Sequence, residues 1–101
     1  MNLLVDRLER VLPFTSAMVF LAVARQGNCG LDQGRMRDEL EMTSGTASRA
    51  VRSLGTGGGR GLVERWFNKF DNRKRVLRLT PKGRRLLART RRALRAEDMK
   101  L

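Results

Sequence analysis

At 101 residues the chain is one domain with room for a single modest core and no second one. Its 22 Lys plus Arg against 10 Asp plus Glu, with no His, give a formal charge of +12 and a sequence pI near 11.7. Such an excess suits a polyanionic partner, meaning DNA, RNA or an anionic membrane surface, while a single cysteine excludes an internal disulfide and leaves no Cys/His cluster for a metal.

The first segment sets Leu4, Leu8, Val11 and Leu12 on one helical face, with Asp6, Glu9 and Arg10 away from it, and Pro13 ends it. The same charges do not fit a secretory leader, so a cytosolic protein is expected. Phe14 and Thr15 read as a hydrophobic staple and N-cap for a helix over Ser16 to Gln26. From Met18 to Ala24 that helix is apolar all round, which predicts a place in the middle of the domain. The longest apolar run, Ala17 to Ala24, falls far short of the roughly 20 residues of a membrane span. Gly27-Asn28-Cys29-Gly30 then breaks the helix.

Asp32 is the expected N-cap of a short helix through Glu41 that offers Met36 and Leu40 to the core, and Thr43 caps the next, Ser44 to Leu54. At roughly 100° per residue, Ala47, Ala50, Val51 and Leu54 cluster on one side while Gly45, Ser48, Arg49 and Arg52 cluster on the other. Small side chains let a helix start approach the floor of a major groove, and an arginine there bonds guanine O6 and N7 together. Main-chain N–H groups at the helix start, with Ser44 and Thr46, suit a phosphate. An ordinary amphipathic surface helix explains any one of these residues, but not the short helix, tight turn and hairpin around them.

Gly55-Thr56-Gly57-Gly58-Gly59-Arg60-Gly61 reads first as a flexible loop. Its glycines with Arg60 beside them also suit a phosphate, although no Gly-Lys-Ser/Thr follows to make a Walker motif. Beyond it, Leu62-Val63-Glu64-Arg65 and Val76-Leu77-Arg78-Leu79 flank a charged tip, Asp71-Asn72-Arg73-Lys74-Arg75, the pattern of a β-hairpin. Adjacent strand residues face opposite ways, so only one of Trp66 and Phe67 belongs to the core. Thr80-Pro81 opens a final helix, about Pro81 to Asp98, with Leu86, Leu87, Thr90, Ala93 and Leu94 along one stripe and Arg84, Arg85, Arg89, Arg91, Arg92 and Arg95 mostly elsewhere. Those arginines read either as a solvated face or as further phosphate contacts. Membrane binding is not expected, since the stripe has no Trp or Phe anchor. Taken together, the predicted fold class is mainly α with a small β-hairpin (α+β), a winged helix-turn-helix.

From about Leu31 to Gly83 the chain resembles the winged-helix core of the MarR family of bacterial transcription regulators. Leu31-Asp32-Gln33, Met36, Leu40, Met42-Thr43, Thr46-Ala47-Ser48-Arg49 and Leu54 are similar to the family's helix-turn-helix, while Gly61-Leu62-Val63-Glu64-Arg65, Asp71, Arg73 and Leu79-Thr80-Pro81-Lys82-Gly83 resemble its wing and the start of its next helix. The resemblance implies a homodimer with two recognition helices in successive major grooves and two wings at the flanking minor grooves. It casts Ser48, Arg49 and Arg52 toward bases or phosphates and Arg73 into the minor groove, oriented by Asp71. A narrow minor groove concentrates negative potential and attracts such a guanidinium. Asp71 reads equally as a turn-former ahead of Asn72.

Three departures from the family pattern stand out. The Gly55–Gly61 connection is longer and richer in glycine, and Arg37 occupies a position where alanine is usual, so it must bend outward or pair with Asp38 or Glu41. The third is length. Family members build a dimerisation domain from an N-terminal helix and extended C-terminal helices and bind small molecules beside it, whereas this chain stops at Leu101. A small dimer is expected, using residues 1–12 and 81–98, with apolar faces meeting in the same or another subunit and no ligand pocket or cofactor. Some family members sense oxidants through a cysteine, but the loop around Cys29 supplies no assured basic neighbour to favour a thiolate.

The sequence therefore predicts one winged-helix DNA-binding domain, 1–101, that is not an enzyme. Its expected role is that of a cytoplasmic, nucleoid-associated, dimeric transcriptional regulator, a repressor occluding a promoter on double-stranded DNA. Recognition helix 43–54 is assigned to the major groove and wing 62–80 to the minor groove. The expected DNA-contacting residues are Ser44, Gly45, Thr46, Ser48, Arg49, Arg52 and Arg60, with Asp71, Arg73, Lys74 and Arg75 on the wing. The alternative is a winged-helix structural or interaction module serving replication, DNA segregation, RNA binding or protein contact, and sequence specificity separates the two.

Overall fold

The computed structural model describes residues 3–67 and 75–99. Among them the order is α1 (Leu3–Leu8), α2 (Phe14–Gln26), a 3-10 turn (Gly27–Cys29), β1 (Leu31–Asp32), α3 (Gln33–Glu39), α4 (Ser44–Leu54), β2 (Val63–Phe67), β3 (Arg75–Leu79) and α5 (Pro81–Met99). This is the mainly helical, winged arrangement predicted, with one strand that was not foreseen.

Helix α1 is shorter than its apolar pattern. After Leu8 the chain tightens, with Arg10 N donating to Arg7 O at 3.3 Å and Val11 N to Leu8 O at 3.0 Å. These three-residue steps rotate Val11 off the apolar face, leaving it 53% exposed, while Val5, Leu8 and Leu12 are buried. α1 packs on both α2 and α5 of its own chain. Helix α2 begins at Phe14, not Ser16, because Pro13 takes the N-cap position in extended geometry and its carbonyl accepts from Ala17 N at 2.9 Å. Thr15 is therefore inside the helix and caps nothing, and Phe14, 59% exposed, forms no staple. Burial of Ser16, Ala17, Val19, Phe20, Leu21 and Val23 makes α2 the central rod, in contact with α1, α4, β1 and β3. Each large apolar side chain so buried stabilises the fold by about 1.5–3 kcal/mol.

Asp32 does cap α3, accepting from Arg35 N at 3.0 Å, but it also pairs with Val76 across the unforeseen strand β1. A two-residue strand leaves too little alternation to be seen in a sequence. α3 stops at Glu39, before the predicted Glu41, because Glu41 takes a left-handed φ of 53° and Met42 N folds back to Arg37 O at 2.9 Å. The sheet is antiparallel in the order β1-β3-β2, with Leu31 opposite Leu77 and Val63 opposite Leu79. Leu31, Val63, Leu77 and Leu79 line the core. Trp66 faces outward, 49% exposed, with the Arg78 guanidinium 4.6 Å from its ring centroid; the burial of Phe67 lies outside what is described.

Thr80 joins the wing to α5. Its Oγ1 accepts from Gly83 N at 3.0 Å and donates to Gly61 O at 2.6 Å, while its own N–H donates to Leu62 O at 3.0 Å. Pro81 sits in the first turn, where it forfeits no hydrogen bond. Position 83 must be glycine, since a Cβ there would run into the Leu62 carbonyl oxygen. On α5, Leu86 and Leu87 pack against the core and Arg84, Arg85, Arg89, Arg91, Arg92 and Arg95 are exposed. No described helix is long and apolar enough to cross a membrane.

Candidate nucleic-acid interface

Helix α4 spans the predicted Ser44–Leu54, with Thr43 Oγ1 accepting from Thr46 N at 3.2 Å. Its buried side is Ala47, Ala50, Val51 and Leu54, and Gly45, Ser48, Arg49 and Arg52 are exposed opposite. The two faces are thus those of the sequence pattern. Nothing lies within 4 Å of where a Cβ on Gly45 would stand, so the helix start is open to a large partner.

The predicted contact residues fall into groups. Ser44 and Ser48 share a recess of about 240 Å³ with Asp32, Gln33, Arg37 and Arg75, so the wing base and the start of α4 form one surface. Thr46 and Arg49 line a second, with Thr15 and Ser16 at the start of α2. Arg49, Arg52 and Arg60 share a third, shallower depression. Asp71, Arg73 and Lys74 at the wing tip lie outside the described residues.

Two local bonding details bear on this surface. Thr46 N is already taken by Thr43, and the Thr43 hydroxyl donates to Thr46 Oγ1 at 2.9 Å, so Thr46 holds the helix start in shape instead of offering that N–H to an anion. Arg37 pairs with Asp38, as one predicted option had it, at 3.3 Å, and its Nη1 also donates to Ser44 Oγ at 3.0 Å. This guanidinium joins α3 to the start of α4 and adds positive charge beside Ser44. Sequence reasoning did not include Arg37 in the interface, because only the folded turn between α3 and α4 brings it beside Ser44. Elsewhere, Cys29 is an exposed free thiol, and no three His, Cys, Asp or Glu among the described residues converge as a metal site.

The fold is shared with solved structures. A mutant of MepR from S. aureus, bound to an oligodeoxyribonucleotide, superposes with a TM-score of 0.81 at 19% identity, covering 96% of this chain and 69% of that one. The fold is the MarR-type winged helix. A MarR transcriptional regulator from Methanosarcina mazei Go1 gives 0.70 at 23% identity, over 89% of this chain and 62% of that one. The regulator BldR from Sulfolobus solfataricus gives 0.69 at 22%, over 96% and 67%. No family model and no curated protein matches the sequence. At these identities the MarR-type likeness is one of backbone, and it places α4 and the β2–β3 hairpin as helix and wing of that fold.

Proposed function

We propose that this protein is a sequence-specific binder of double-stranded DNA and acts as a dimeric transcriptional regulator, repressing by occlusion of a promoter. The observation that carries the reading is the outward face of α4, where Gly45, Ser48, Arg49 and Arg52 stand exposed on a helix capped by Thr43 and backed by buried Ala47, Ala50, Val51 and Leu54. In this reading α4 enters the major groove, Arg49 and Arg52 address base edges and phosphates, and Ser44 with Arg37 and Arg75 holds the backbone beside it. The wing, 62–80, approaches the minor groove, with Arg73 as the inserting residue. Support comes also from the net charge of +12 and from MepR, which is described in complex with DNA.

The test is selection of bound duplexes from a random library at physiological salt, followed by sequencing. The reading expects an inverted repeat with half-sites about 10 base pairs apart, the mark of a two-fold dimer. Binding without any enriched sequence favours an architectural role, and absence of duplex binding overturns the proposal.

A further inference from the structure

The glycine-rich segment after α4 is not a slack connection. Arg60 N donates to Ser53 O at 2.9 Å, Leu62 N to Leu54 O at 2.8 Å, Gly61 N to Gly55 O at 2.9 Å, and Gly55 N to Arg52 O at 3.3 Å. The Arg52, Ser53 and Leu54 carbonyls, ordinarily open at a helix C-terminus, are each occupied by an N–H of the loop. Gly59 lies so close over them that a Cβ there would meet the Ser53 and Gly55 oxygens at 2.6 and 2.7 Å and the Arg52 oxygen closer still. Lys82 Nζ reaches from α5 to the Arg60 carbonyl at 2.9 Å, so the Arg60 backbone is held from both sides. The loop is therefore anchored against the helix end at Gly55 and at Gly59–Leu62.

Its product is a concave surface. Arg49, Arg52, Ser53, Gly58, Gly59 and Arg60 line one shallow depression of about 540 Å³, with all three arginines exposed and none in an ion pair among the described residues. A helix C-terminus carries roughly half a negative charge and repels anions. Here three of the terminal carbonyls accept from loop N–H groups, and three guanidinium groups stand around the site. The loop N–H groups of residues 60–62 point at the helix, so the anion must be held by side chains and not by a glycine cradle.

We infer that this depression is a phosphate clamp, in which Arg60, its backbone fixed by the close approach of Gly59 and the Lys82 bond, acts with Arg52, beside the base-facing Arg49, to grip the DNA backbone at the C-terminal end of α4. The recess of Ser44, Ser48 and Arg75 lies at the other end of the helix, so the duplex is held at both. The inference rests on the DNA-binding reading above.

The experiment measures affinity for a fluorescent duplex of about two helical turns as a function of salt, for wild type, Arg60→Ala, Gly59→Ala and Arg25→Ala. Each lost phosphate contact lowers the slope of log K against log salt by about 0.9. Arg60→Ala is expected to show that loss. Gly59→Ala, which keeps every charge but pushes the loop off the helix carbonyls, is expected to match it. Arg25→Ala, an exposed charge on the last turn of α2, is expected to leave the slope as in wild type. Phosphate ethylation should block wild-type binding at a position that ceases to matter for Arg60→Ala. If wild type binds with a steep slope and Arg60→Ala behaves as Arg25→Ala does, the clamp is overturned and the DNA reading stands. If wild type binds no duplex, both fall.

Discussion

Removing the Thr80 hydroxyl tests whether one side chain holds the wing, the loop and α5 together. Thr80 is 6% exposed, and Thr80→Val preserves its shape while deleting both of its side-chain bonds, from Gly83 N and to Gly61 O. Loss of the N-cap bond costs about 1 kcal/mol. The Gly61 carbonyl loses its donor for about 1 kcal/mol more, and desolvation of the buried Gly83 N–H adds a further fraction. The total, about 2–3 kcal/mol, corresponds to a fall in melting temperature of roughly 10–20 °C for a domain of this size. Thr80→Ser keeps both bonds and loses one methyl, so its cost should stay near 0.8 kcal/mol. Urea and thermal unfolding followed by far-UV circular dichroism measure all three proteins. A Thr80→Val protein within about 0.5 kcal/mol of wild type would refute the reasoning, because surface-like substitutions fall in that range.

Four further outcomes are expected. Arg49→Ala should reduce discrimination between preferred and unrelated duplexes by about 1–3 kcal/mol, read by competition binding; unchanged discrimination removes Arg49 from base reading. Gly45→Ala should raise stability by about 0.5 kcal/mol, since its Cβ meets nothing, yet weaken DNA binding by filling the open helix start; a variant that gains stability and binds as before shows that this opening is not used. Glu41→Gly should stabilise by about 0.5 kcal/mol through relief of the left-handed φ, measured by urea unfolding, and a net loss would show that the side chain matters more than the backbone there. Gly83→Ala should destabilise by about 1–3 kcal/mol as α5 is forced from the Leu62 carbonyl, and a neutral result would mean that this approach yields easily.

What was legible in the sequence follows from how local each signal is. Thr43 with Ser44–Leu54 was read to the residue because cap and two-faced periodicity both lie within the helix itself. The wing strands were placed to within two residues and the Thr80-Pro81 start was plain, since alternation and turn chemistry are short-range. Where tertiary geometry decides, the reading slipped. Glu41 looks like helix until its φ is known, and Val11 looks like core until the chain tightens after Leu8. The glycine run looked loose because composition does not show that Gly55, Arg60 and Leu62 donate their N–H groups to α4 carbonyls. Of the candidate interface, the α4 face was visible and the place of Arg37 beside Ser44 was not, as its bond to Ser44 spans a turn whose path only the fold defines.

Asp32 belongs at once to the sheet, opposite Val76, and to the start of α3, through Arg35 N. One residue thereby fastens the wing base to the helix-turn-helix, and Thr80 fastens the other end of β3 to α5 and the loop behind α4. Helix α4 and the base of the wing are consequently held at one spacing, like a gauge, by covalent and hydrogen-bonded links. On the DNA reading, a duplex that fits this gauge poorly must widen, narrow or bend to be held. Sequences that deform readily would then be selected at base pairs the protein never touches.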